Sequence, residues 1–90
     1  MENKNLKLQQ MYTEAVQNQQ KGNSAVAEDL YKKILKELPN HVNTQGNLGA
    51  LYAQIGRDAE AKVLLQNVLK IEPYNINANS NLGIVFTHLS

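Results

Sequence analysis

Ninety residues with 42% apolar side chains, no tryptophan and one phenylalanine describe a single small domain packed mainly from aliphatic residues. A formal charge of +1, with both signs dispersed and no basic run beyond Lys32-Lys33, excludes an electrostatic footprint for nucleic acid. The lack of cysteine excludes disulfides and thiol chemistry; no apolar run forms a secretory leader or a membrane span, so a soluble cytoplasmic protein is expected.

The pattern predicts five helices, over about 6–20, 24–38, 42–55, 58–71 and 76–89. The first ends before Gly22, where a turn needs positive φ or a cramped backbone. The second carries Ala27, Leu30, Tyr31, Ile34 and Leu35 as one buried stripe, and Pro39 closes it because proline cannot continue a helix. The third repeats the spacing with Leu48, Leu51, Tyr52 and Ile55 and ends at Gly56. The fourth buries Ala61, Leu64, Leu65, Val68 and Leu69 and is closed by Pro73. Ser24 and Asp58 stand where an N-cap or a first-turn residue is expected. The fifth offers Leu82, Val85, Phe86 and Leu89 as its stripe.

The chain also matches itself at an offset of 34 residues. Gly22 falls on Gly56, Ala27 on Ala61, Leu30 on Leu64, Leu35 on Leu69 and Pro39 on Pro73. The same step carries Asn47-Leu48-Gly49 onto Asn81-Leu82-Gly83 and Tyr52 onto Phe86. A helix–turn–helix of this period, with small residues at fixed crossings and a closing proline, resembles the tetratricopeptide repeat (TPR) family. The best match is 42–75, through Leu48-Gly49, Tyr52, Gly56, Ala61 and Pro73. The unit 8–41 matches in Ala15, Gly22, Ala27, Tyr31 and Pro39 but has Glu14 and Asn18 where leucine and tyrosine are usual, as suits a terminal repeat. Met11 and Gln45 stand in place of the family's early tryptophan.

The resemblance implies an all-α fold, a fragment of a right-handed α-solenoid within one domain spanning 1–90. It has two full repeats (8–41 and 42–75) and the first helix of a third (76–90). Ala15, Ala27, Gly49, Ala61 and Gly83 are expected at close helix crossings, where larger side chains would force helices apart.

In function, the resemblance implies a scaffold that binds a protein or peptide partner on the concave face formed by the first helices. Positions expected there include Gln9, Tyr12, Thr13, Val16, Gln19 and Gln20, then Asn43, Gly46, Asn47, Ala50 and Gln54, then Asn77, Ser80, Asn81, Ile84 and His88. Tyr12, Asn43, Asn47, Gln54, Asn77 and Asn81 are the candidate peptide-binding residues. Amides pair with peptide N–H and C=O groups whatever the ligand's side chains. The family's carboxylate clamp uses basic residues at places held here by Tyr12, Val16, Asn47, Asn77 and Asn81, so clamp-type binding is not expected. Asn47 and Asn81 instead resemble the asparagine ladder of O-GlcNAc transferase repeats, which grips a peptide backbone; Thr13 occupies the corresponding first rung. The competing assignment is local bonding of these asparagines to their own helices.

No nucleophile motif, phosphate loop or metal-ligand spacing is present, and neither His41 nor His88 has ligand neighbours in sequence. No enzymatic activity, cofactor, metal, nucleic-acid or membrane partner is expected. The unit beginning at Ile76 lacks a second helix, so Leu82, Val85, Phe86 and Leu89 are expected to be left uncovered and to drive homo-oligomerisation, with domain swapping as one route. A further alternative is the N-terminal targeting arm of a larger TPR-containing enzyme.

Overall fold

A computed structural model describes residues 4–90. Five helices follow in order: α1 (Lys4–Gln20), α2 (Ser24–Glu37), α3 (Val42–Gln54), α4 (Asp58–Ile71) and α5 (Ile76–Leu89). The described residues contain no strand. All five expected helices are present, with limits within two residues of those read from the pattern. The chain divides into two compact units, Met1–Thr44 and Gln45–Ser90, with the boundary inside α3.

The 34-residue period is written into the backbone bonding. After α1, Gly22 has φ +85°, Asn23 N–H donates to Asn18 O at 2.8 Å, and Gly22 N–H donates to Gln19 O. After α3, Gly56 has φ +82°, Arg57 N–H donates to Tyr52 O at 2.8 Å, and Gly56 N–H donates to Ala53 O. Both are Schellman turns, in which a residue in the left-handed region satisfies the helix's last carbonyls, and glycine adopts it without a Cβ penalty. The turns before the prolines match as well. Leu38 N–H donates to Ile34 O and His41 N–H to Leu38 O; the same step gives Glu72 N–H to Val68 O and Asn75 N–H to Glu72 O.

Of the two roles open to Ser24 and Asp58 in the sequence, N-cap or first-turn residue, these turns select the second. Asn23 and Arg57 are the caps, whereas Ser24 and Asp58 are the first helical residues. Neither cap side chain accepts from a backbone N–H of its helix, and a guanidinium has no acceptor with which to do so. Asn23 donates to the Asn18 side chain. Arg57 forms a two-pronged pair with Glu60, both contacts 2.8 Å, and stands 4.3 Å from the Tyr52 ring centre. Asp58 serves as the first-turn acid, where negative charge favours the helix dipole.

In the first unit α1 packs on α2. Ala15 and Ala27 have no exposed surface, so the two backbones approach closely, as their size allows. Tyr31 is fully buried and its phenol donates to Gln19 Oε1 at 2.6 Å. Burying a tyrosine is favourable only when the hydroxyl keeps a partner, and Gln19 supplies it. Lys4 pairs with Glu37 across the open end of the hairpin and, by hydrogen bond and charge, holds that carboxyl below the usual carboxylate range. The exposed pair stabilises only while Glu37 is ionised, and this small effect is lost as pH falls through the lowered value.

In the second unit Leu48, Leu51, Tyr52, Ala61, Leu65 and Val68 form the core, and Gly49 lets α3 approach α4 closely. Two residues depart from the expected stripes. Ile55 lies past the end of α3 and is 43% exposed, since the Schellman turn carries it off the helix face. Gly83 was expected at a close crossing, but a Cβ there would meet nothing within 4 Å. Its counterpart Gly49 faces the next helix, whereas no element among the described residues lies against Gly83.

Candidate functional site

Two surfaces carry the candidate residues, one in each unit. In the first, Tyr12 and Asn43 line a single pocket of about 330 Å³. Leu8, Ile34 and Leu38 supply its apolar surface, while Asn5, Gln9, Asn43 and His41 supply polar groups. That volume lies at the lower end of the ~300–1,000 Å³ typical of ligand sites. Tyr12 is half-buried and its ring is fixed from two sides: edge-on to Tyr31 with centres 6.3 Å apart, and edge-on to His41 at 6.0 Å. The fold thus presents an aromatic wall of settled orientation beside an apolar floor, with side-chain amides around it.

His41 has a structural role that the sequence reading missed. It is the residue before α3; its Nδ1 accepts from Thr44 N–H at 3.3 Å and lies 2.7 Å from Thr44 Oγ1, while Thr44 itself is fully buried. The ring therefore caps α3 and braces Tyr12 together. Asn75, at the same place one period later, caps α5 through Ala78 N–H at 2.9 Å. Asparagine is a recognised N-cap, so the 34-residue match of His41 with Asn75 was the signal that could have found both.

Not every residue expected on the concave face lines the pocket. Gln19 is committed to the Tyr31 phenol. Gly46 lies against α4, its Cβ position 3.9 Å from Val68 Cγ2. In the second unit Gln54 and Asn77 are exposed, and Asn47 and Asn81 are half-buried. Asn81 Nδ2 donates to Asn77 O at 2.9 Å within its own helix, so one of its two amide N–H donors is used locally.

The α5 stripe is also resolved into two parts. Val85 is fully buried and turned into the core of its unit, so it does not belong to an uncovered face. Phe86 and Leu89 are about half exposed, Leu82 is half-buried, and Lys62 Nζ lies 5.5 Å from the Phe86 ring centre. His88 does not stand alone: its Nδ1 is 3.0 Å from Asp58 Oδ1 and joins the end of α5 to the start of α4.

A family model, tetratricopeptide repeat, matches residues 6–80. The chain belongs to the tetratricopeptide repeat family. No curated protein matches it in sequence. TPR domains are generally protein-interaction modules, which directs attention to surfaces rather than to a reaction centre. Among the described residues no group of three or more His, Asp or Glu side chains is placed to hold a metal ion, and no helix is long and apolar enough to cross a membrane.

Proposed function

We propose that this TPR chain binds an extended peptide of a partner protein, with one apolar peptide side chain in the Tyr12 pocket and the peptide backbone bonded by neighbouring amides. The observation that carries this reading is the pocket itself: an aromatic ring held in place by Tyr31 and His41, an apolar floor, and Asn5, Gln9 and Asn43 around it. Rigid aromatic anchors of this kind dominate binding energy in many interfaces. The second unit carries amides of its own at Asn47, Gln54, Asn77 and Asn81. The recurrence of Asn-Leu-Gly supports a backbone-gripping role like that of the O-GlcNAc transferase ladder, with one Asn81 N–H already used within α5.

Selection from a random peptide display library tests this. Selected peptides should share an apolar anchor, and Asn43→Ala should weaken their binding by about 1–3 kcal/mol if a buried amide contact is lost. Asn47→Ala with Asn81→Ala should weaken it further while helix content is unchanged. Selected peptides whose binding ignores all three substitutions contradict the reading.

A second reading, self-association, is favoured by α5. Phe86 and Leu89 leave apolar surface in water beside Gly83, where an added Cβ would meet no atom within 4 Å. The corrected face is Leu82, Phe86 and Leu89, without Val85. Light scattering over a concentration series should give a dimer or larger species that Phe86→Glu dissociates, because a charge buried without a partner is strongly unfavourable. A monomer at high micromolar concentration contradicts this second reading and leaves the first intact.

A further inference from the structure

We propose that the groove between α1 and α2 docks an acidic amphipathic segment of a partner protein, a site separate from the Tyr12 pocket. The groove encloses about 580 Å³ and is lined by Leu8, Met11 and Leu30, with Lys4, Lys7, Lys33, Lys36 and Glu37 around them. It shares only Leu8 with the Tyr12 pocket.

Charge decides what fits. The whole chain is almost neutral, yet four of its nine basic residues line this one groove with a single acid. Glu37 is engaged by Lys4, so that pair is close to neutral. Lys33 shares its charge with Asp29 at 3.0 Å, but both side chains are more than half exposed and solvent screens the pair. With Lys36 one turn from Lys33, the groove keeps a cationic rim over an apolar floor. Leu8 is nearly buried and Met11 and Leu30 are half-buried, so a ligand's apolar side chains have a surface to cover. Long lysine stems can flank such contacts while their ammonium groups stay in water and meet carboxylates.

An acidic peptide with apolar side chains on one face satisfies the floor and the rim together. Nucleic acid fits less well, since no aromatic side chain lines the groove for base stacking. A lipid surface fits less well too, because insertion uses a protruding apolar face and this one is recessed between helices.

The test uses a short fluorescein-labelled peptide of leucine and glutamate with leucines at helical spacing, followed by fluorescence anisotropy. Its lysine-for-glutamate and serine-for-leucine counterparts serve as controls. The acidic probe should bind, and its affinity should fall about tenfold in a Lys33→Gln, Lys36→Gln variant and again as salt rises to roughly 0.3 M. The serine-containing probe should lose binding. Glutamine keeps helix propensity close to that of lysine, so circular dichroism should be unchanged in the variant. Equal binding of the lysine-rich probe, or undiminished affinity in the variant, overturns the proposal. So does tighter binding to phosphatidylserine vesicles or to single-stranded RNA than to the acidic probe, if the same variant abolishes it.

Discussion

Gly49→Ala is expected to destabilise the chain by about 1 kcal/mol or more, whereas Gly83→Ala is expected to stabilise it by about 0.5–1 kcal/mol. The two glycines occupy the same place in the same Asn-Leu-Gly triplet, one period apart. Both lie inside helices, where alanine gains about 0.5–1 kcal/mol over glycine from propensity alone. Their surroundings set the sign. A Cβ at Gly49 would stand 2.9 Å from Cδ2 and Cγ of Leu65 and 3.4 Å from Cβ of Leu64. Leu65 is fully buried and Cγ is not a free end, so the helices must shift, at about 1–3 kcal/mol for overpacking. At Gly83 no atom lies within 4 Å and the propensity gain is undiminished. Urea denaturation at low protein concentration measures both, and shifts of the same sign would contradict this account of the crossing.

Truncating Tyr31 to alanine is expected to cost about 3–5 kcal/mol, the range for large aromatic residues removed from cores. A domain of this size has only roughly 5–13 kcal/mol to lose, so the variant should be largely unfolded at modest urea. Tyr31 is fully buried, holds Gln19 through its hydroxyl and meets the Tyr12 ring edge-on. Tyr31→Phe should cost only about 1 kcal/mol, the worth of a hydrogen bond whose partner can still reach water. Tyr74→Ala is the control: with 92% of its surface exposed, it should change stability by less than about 0.5 kcal/mol. Parallel thermal melts distinguish the three, and an effect at Tyr74 matching that at Tyr31 would contradict the assignment of the core.

The helices were legible because several local rules agreed. The glycines, the prolines and the apolar spacing all marked the same boundaries, and the offset of 34 residues tied each repeat to the next. Spacing gives an angle around a helix but not the neighbour waiting at that angle. Val85 and Phe86 both belong to the expected stripe of α5, yet one is fully buried and the other half exposed. Gly49 and Gly83 are equivalent in sequence and opposite in surroundings. Spacing left Ser24 and Asp58 open between N-cap and first-turn roles, and the residue that the Schellman turn places between the glycine and the helix decides for the first turn.

Part of the candidate pocket was legible for the same reason. Tyr12 and Asn43 were both expected on a binding face, and the fold puts them around one pocket. The brace behind Tyr12 was not legible, because His41 acts through tertiary contact with a ring 29 positions earlier, which no local pattern encodes. Gln19 was lost from the face for a similar reason: the buried Tyr31 phenol takes its amide oxygen.

In the proposed function the Tyr12 pocket receives a partner's apolar side chain. The most direct measurement is a nuclear magnetic resonance titration of the isotope-labelled chain with the tightest peptide from the display selection. The side-chain amide signals of Asn5, Gln9 and Asn43 and the ring signals of Tyr12 should move together and saturate at one stoichiometry. Saturable binding that leaves those four residues unmoved would contradict it.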